Sequence, residues 1–453
     1  MKRRKPEGIR MTGKEYVEKY MGPGVEPAGI GTKDIVIGRD AIPKLPALIR
    51  EHISPAGYVL LVADERTYAA AGERVTHVLS AAGFDIKKHV FPTGELVHVD
   101  ERAVGSVMFE MEENPGMIAG VGSGTVNDLC RFCAARIKVP YIIVGTAPSM
   151  DGYASTVVPA TVGGVKVTCP GVHPEIVLGD IGVLKDAPMD MIASGAGDIF
   201  GKIPAALDWK MSHKLAGEPR RADIVALVAS SVDKCLLAAP DLCGRGEEAV
   251  AGLMEALVIS GIAMQMYGNS RPASGAEHHI AHFLEMMDGH EARPGAFHGT
   301  NVGIASLIVM RLYEKLFAGD MPEIERSVDE PFFEAQIDRI YGARAGYIRR
   351  TYGEAFYAGE DTWQAWMDAL SGCWGETKED VAGFPALRER LIDILASMGA
   401  PAKPQDLGYT RDQMWDALLY ARVIRSKFTI LTLLDNWGLL ERYASEVLNE
   451  IYP

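Results

Sequence analysis

A change of rhythm near Pro188 constrains this chain more than any other feature. Between about residues 57 and 187, short β-branched runs alternate with helical patterns; beyond them the alternation stops. "YVLLVAD" (58–64), "DIKKHVF" (85–91), "GMIAGVG" (116–122) and "PYIIVGT" (140–146) read as strands, because short runs rich in Val and Ile between turn residues suit a sheet interior. "AAAGERVTHVLSAAGF" and "TVNDLCRFCAARI" between them have the apolar spacing of helices. Strand, helix, strand in repetition is the signature of an open parallel sheet. After "LKDAPMDM" (184–191), where Pro188 suits the first position of a helix, long amphipathic segments follow one another. They include "GEEAVAGLMEALVISGIAMQMYG", "LRERLIDILASMG" and "SKFTILTLLDNWGLLERYASEVLNEIY". The expected architecture is an α/β, Rossmann-like nucleotide-binding domain at 30–187 and an all-α domain at 188–453, behind an extension at 1–29. A length of 453 residues agrees with two cores rather than one.

Composition enters mainly by exclusion. A formal charge of −14 disfavours nucleic acid or an anionic membrane as partner, since both repel an acidic surface; the basic run at 2–5 reads as a solvated tail. Six irregularly spaced cysteines form no disulfide framework, and "CRFC" reads as two half-buried helix thiols, Cys130 and Cys133. No signal peptide and no uncharged apolar run of membrane-spanning length is visible, so a cytoplasmic protein without an integral membrane segment is expected.

"GVGSGTVND" (120–128) follows a strand and opens a helix, the setting in which backbone N–H groups and a helix N-terminus cradle a pyrophosphate. Glycine permits close approach, and Ser123 and Thr125 offer hydroxyls; a plain tight turn is the competing reading. Asp64, at the carboxyl end of the first strand of the alternating region, is placed to accept from a ribose, although it would be equally ordinary as a surface acid. Five of the eleven histidines fall within 278–298. His278 and His282 are four apart, on one face of a helix, which is half of a metal site. His298 in "FHGTN" is a further candidate ligand, and Asp198 in "ASGAGDIFGK" is the best source of a carboxylate.

The order of the glycine loop, "TAPSMDG", "SGAGD", "SGAEHHIAH" and "HGTNVG" resembles the superfamily of iron-type alcohol dehydrogenases, glycerol dehydrogenase and dehydroquinate synthase. Within it, "GDIFGKIPAALDWK", "TAPSMDGYAS" and "LLYARVIRSKFTILTLL" are similar to the sn-glycerol-1-phosphate dehydrogenase family. The resemblance runs from about 30 to 450 and implies a dehydroquinate synthase-like fold. It implies a metal triad of Asp198, His278 and His298, and a substrate-facing His282 that relays a proton. Asp151 would stand near nicotinamide and substrate. Gly122, Ser123, Gly124, Thr125, Asp128, Thr146 and Ser149, with Asp64, would hold the cofactor. Lys202, taken to share a helix face with Asp198, would meet a substrate phosphate. His279 and His290 are read as incidental.

The implied activity is NAD(P)H-dependent reduction of dihydroxyacetone phosphate to sn-glycerol 1-phosphate with one divalent ion, zinc first and nickel or iron as alternatives, in a homo-oligomer acting on a phosphorylated small molecule. Asp64 would favour NADH by repelling a 2′-phosphate. The alternatives are a polyol or simple alcohol dehydrogenase, and a dehydroquinate synthase-like cyclase. The cyclase branch typically has glutamate where Asp198 stands. A non-enzymatic regulator would be expected to lack the triad or Asp151.

Overall fold

The structure, a computed structural model, describes residues 9–22, 29–92, 97–291, 295–322, 326, 330–353 and 357–453. The basic run at 2–5 and the side chain of His290 lie outside the described residues. The chain divides into two compact units. Unit 1 comprises Met1–Val162, Lys166–Ile199 and Asp223–Pro272; unit 2 comprises Gly163–Val165, Phe200–Ala222 and Ala273–Pro453. The sequence reading put its boundary at 187/188, whereas the contacts of unit 1 run on to Ile199 and take in Asp223–Pro272.

Unit 1 is built on a sheet of β1 (Ile9–Met11), β2 (Asp34–Gly38), β3 (Val59–Asp64), β4 (Ile86–Phe91), β5 (Met117–Gly122), β6 (Tyr141–Gly145) and β9 (Ile176–Asp180), with β7 (Val157–Val162) and β8 (Val165–Pro170) forming a separate pair. The order across the large sheet is β1-β2-β9-β6-β5-β3-β4, parallel throughout except for β1 against β2. The central strands β5 and β6 are buried along their whole length, which is why they read as continuous apolar runs rather than alternating ones. The four strands and two helices read from the sequence all form.

The chain passes from β3 outward to β4, then crosses back to place β5 on the other side of β3. The carboxyl ends of β3 and β5 therefore flank a topological switch point, where open α/β sheets present their ligand crevice. Register makes this concrete: Val62 pairs with Gly120, so Asp64 and Gly122 stand two residues further along at the same level.

The helix Glu247–Tyr267 departs from expectation. It is apolar all round, 94% of its apolar window is buried, and it belongs to unit 1, with Met254 reaching Gly145 and Gly179 of the sheet. It is long and apolar enough to cross a membrane, yet its burial is that of a core helix. The extension is also structured over 9–22. β1 caps the sheet edge, a capping box of Thr12 and Glu15 starts the helix Gly13–Met21, and that helix buries Tyr16 and Val17. Cys130 and Cys133 are fully buried rather than half-buried.

Among its described residues unit 2 is helical apart from the short Gly163–Val165 segment. The buried Asp208 ties it together, accepting from Ala276 N, Ile430 N and Tyr313 Oη, each at 2.7 Å. Two expectations fail locally. The segment 426–452 is not one helix: Gly438, at φ 64°, separates Ile430–Asn436 from Leu440–Ile451. Nor does Lys202 share a helix with Asp198, since Met189–Phe200 ends before Gly201 and Lys202 opens the next helix, Lys202–Ala216, with 1% of its surface exposed.

Candidate active site

The glycine turn at the end of β5 is shaped by packing. A Cβ on Gly122 would lie 2.6 Å from Val126 Cβ and would push the helix Gly124–Ile137 off the strand that feeds it, while one on Gly124 would crowd Met150 Cγ at 3.0 Å. The first N–H groups of such a helix have no intrahelical acceptor and carry the positive end of its dipole. Ser123 is its N-cap and Thr125 lies in its first turn, so the donor set suits a diphosphate. Thr146 N donates to Gly122 O at 3.1 Å and steadies the turn. Across the switch point the Asp64 carboxylate caps the short helix Glu65–Thr67, accepting from Thr67 N at 2.9 Å through Oδ1. Beside it, at the end of β4, lies a cavity of about 240 Å³ lined by Phe91, His98, Asp100 and Arg102 among others.

Asp128 is engaged with Arg131, whose buried guanidinium donates to it at 2.7 Å and also reaches the carbonyls of Gly152 and Val157. This ion pair braces the turn Asp151–Ala154. Asp151 is 8% exposed; its Oδ2 accepts from Ser260 Oγ at 2.8 Å, and its N–H donates to Asp198 Oδ2 at 2.8 Å. Gly195 permits that approach, because a Cβ there would sit 1.9 Å from the Pro148 carbonyl oxygen. Ser194 Oγ adds a bond to Ser149 O at 3.0 Å. "TAPSMDG" and "SGAGD" are thus one packed substructure of unit 1.

In unit 2 the helices Ala276–Glu291 and His298–Leu316 bring His278, His282 and His298 together. Ring centroids are 5.3 Å apart for His278 and His298, 5.2 Å for His282 and His298, and 6.1 Å for His278 and His282. His278 Nδ1 lies 2.8 Å from Glu277 Oε1, and His298 Nδ1 lies 2.6 Å from Glu285 Oε1. Carboxylates on Nδ1 fix both tautomers and turn Nε2 into the ligand atom, the outer-shell arrangement of metal-bound histidines, so the donor set fits a divalent ion. Within unit 2, His282, Glu285 and His298 have ligand atoms within 4.8 Å of one another and form a second candidate group. Burial pushes the His282 pKa down to about 3 against the opposing pull of Glu285, so this imidazole is neutral at neutral pH. His279 is buried at 1% exposure. Glu277 and Glu285 were missed in the sequence reading. Glu285 had a signal: it lies seven residues after His278 and three after His282, on the same helical face.

The sequence profile of the iron-containing alcohol dehydrogenases matches residues 36–188. Glycerol-1-phosphate dehydrogenase [NAD(P)+] of Bacillus velezensis is 30% identical over 436 residues, covering 96% of this chain and 97% of its own. The chain belongs to the glycerol-1-phosphate dehydrogenase family. It is accordingly an NAD(P)-dependent oxidoreductase. The Methanospirillum hungatei enzyme of the same name is 34% identical over 301 residues, 65% of this chain and 78% of its own. Among solved structures, a probable glycerol dehydrogenase from Sinorhizobium meliloti superimposes with a TM-score of 0.60 at 17% identity, over 91% of this chain and 97% of that one. NADH-dependent butanol dehydrogenase A from Thermotoga maritima does so with 0.60 at 18%, over 96% and 100%. Both support the two-part α/β and helical fold.

Proposed function

We propose that this family member reduces dihydroxyacetone phosphate at its central carbonyl to sn-glycerol 1-phosphate, with NAD(P)H and one divalent ion held by Asp198, His278 and His298. The observation that carries the reading is the pair of carboxylate-held imidazoles, His278 on Glu277 and His298 on Glu285, in a chain whose relatives bear the name glycerol-1-phosphate dehydrogenase. When bound, the ion would polarise the carbonyl oxygen and the nicotinamide would supply hydride. The chain's own residues do the rest. Gly122, Ser123, Gly124 and Thr125 bind the diphosphate through helix N-terminal N–H groups and hydroxyls, with Thr146, Ser149 and Asp128 holding the surrounding turns. Asp64 accepts from the adenosine ribose, and Asp151 orients the reacting end through its bonds to Ser260 and Asp198. His282, neutral and with Nδ1 directed at Glu285, passes a proton at Nε2. Lys202 supplies a buried cation. Imidazole and carboxylate together accept zinc, nickel or iron, with zinc our first choice.

The test follows NADH and NADPH oxidation with dihydroxyacetone phosphate, dihydroxyacetone and glyceraldehyde, with the chirality of the product determined. A large preference for the phosphorylated ketone and a product of the sn-1 series are expected; equal use of both ketones, or an sn-3 product, overturns the substrate assignment. For the cofactor we expect NADH to be preferred, and Asp64→Ala to narrow the gap between the specificity constants for NADH and NADPH. An unchanged ratio would remove Asp64 as the reader of the ribose.

A further inference from the structure

A phosphorylated substrate needs cations that it can reach. Lys202 has 1% of its surface exposed, which leaves an incoming anion little room to reach it. A second cationic element of unit 2 is better built. After the 3₁₀ turn Ala421–Ile424, which is buried throughout, the chain leaves the helical conformation: Arg425 has φ −151° and ψ 152°, and Thr429 has φ −144° and ψ 174°. In an extended segment, alternate residues project to the same side. The burial pattern agrees with that alternation, Arg425 and Lys427 being partly buried and Ser426 between them exposed. The Arg425 guanidinium has its Nη2 shielded from solvent, so it retains its pull on an anion that enters beside it.

What they face is the histidine helix. Lys427 Nζ donates to Ser274 Oγ at 2.5 Å, just before that helix begins at Ala276. The Arg425 guanidinium lies in the field of Glu285 and His282, and its pKa is lowered by burial against the opposing pull of Tyr352, Glu285 and Tyr347. The segment is held at its far end, where Ile430 N donates to the buried Asp208, the same carboxylate that holds Ala276 N at the start of the histidine helix. One buried acid thus fixes both the extended segment and the helix it runs along.

We infer that Arg425 and Lys427, on one side of this extended segment, form the anion subsite that grips the substrate's phosphate beside the histidine cluster. A guanidinium gives two parallel donors to phosphate oxygens and an ammonium a compact third, which suits a dianion that an acidic chain would otherwise repel. Ser274, already bonded to Lys427, is positioned to add a hydroxyl. The inference rests on the proposed substrate class, and the experiment separates the two.

The specificity constants for dihydroxyacetone phosphate and dihydroxyacetone are measured, and their ratio compared, in the metal-loaded parent, Arg425→Gln, Lys427→Gln and the control Ser426→Ala. Inorganic phosphate is used as a competitive inhibitor in each. If the parent shows no preference for the phosphorylated ketone, the substrate reading fails before the subsite is in question. If it does, each charge removal is expected to lower the ratio roughly 10- to 100-fold and to raise the inhibition constant for inorganic phosphate in parallel, while Ser426→Ala keeps the parent's ratio. Arg425→Lys should recover part of the loss. A parent-like ratio and phosphate inhibition in both Gln variants would overturn the assignment. So would a loss shared equally by both ketones with normal phosphate inhibition, since that pattern belongs to a structural residue. Should Arg425→Gln fold poorly, Lys427→Gln alone carries the same two readouts.

Discussion

The Nδ1 atom of His298 is held 2.6 Å from Glu285, and that of His278 2.8 Å from Glu277. Neither glutamate belongs to the proposed ligand triad, yet each decides which imidazole nitrogen can face an ion. Replacing Glu285 by Gln keeps the shape and removes the charge, so metal affinity should fall about 10- to 100-fold, as is usual for such outer-shell changes; competition against a chelator of known affinity measures it. Stoichiometric, tightly held metal in a His278→Ala His298→Ala double variant would instead dismiss the triad. Gly195 makes a steric claim. Its Cβ position, 1.9 Å from Pro148 O, is blocked by backbone that cannot rotate away. Gly195→Ala should cost about 1–3 kcal/mol, seen as a lower Tm, and should loosen the bond from Asp151 N to Asp198. A parent-like Tm would mean that the helix Met189–Phe200 shifts freely, which its packing argues against.

At the scale of elements, the N-terminal helix Gly13–Met21 is docked through one carboxylate. Glu255, on the core helix Glu247–Tyr267, is 3% exposed; it accepts from Tyr20 Oη and pairs with Lys234 at 2.8 Å and Lys19 at 3.2 Å, while Tyr16 Oη donates to its main-chain carbonyl. Burial pushes the Glu255 carboxyl upward, but the bonds from Lys234 and Tyr20 and the charges of Lys234 and Lys19 outweigh it, leaving the pKa below its ordinary value of 4.5. A carboxyl depressed in the folded state stabilises fully above its unfolded pKa, and that stabilisation drains away as pH falls below about 4.5 toward the folded value. Glu255→Gln is therefore expected to lose about 1–3 kcal/mol at pH 7, discounted because both lysines are partly exposed, with the gap to the parent closing in acid. Denaturant titrations at pH 7 and pH 4 check this; a gap that widens in acid would reverse the sign and refute the network.

For the whole molecule, the division into units does not follow chain order. Unit 1 requires Asp223–Pro272, and with it the helix that carries Met254 to the sheet and Ser260 to Asp151. A fragment ending at Ile199 would expose the apolar face that this helix covers. Expressed alone, it should bind a hydrophobic dye and melt without a cooperative transition. The same fragment joined to Asp223–Pro272 through a Gly/Ser linker should melt cooperatively, as followed by circular dichroism. Cooperative unfolding of 1–199 by itself would show that the sheet needs no such cover.

The sequence by itself determined what local periodicity and local sterics can carry. The strands of the 57–187 region are legible because buried parallel strands are unbroken apolar runs, the turn at Gly122 and Gly124 because a strand meets a helix there, and the pairing of His278 with His282 because four residues make one helical turn. The family resemblance added a candidate triad to those marks. Tertiary structure decided the rest. Periodicity reports that a face is buried, never against what, so it could not return Glu247–Tyr267 to the first unit or tell its all-round burial from an amphipathic face. Strand order depends on pairing across distant positions, so the switch point that sets Asp64 level with Gly122 exists only once β5 has crossed back beside β3. Side-chain partners are non-local in the same way: Asp151 meets Ser260, and Glu255 meets Tyr20, only once helices far apart in the chain have packed together, and Lys202 reads as a helical neighbour of Asp198 until the helix is seen to end before Gly201.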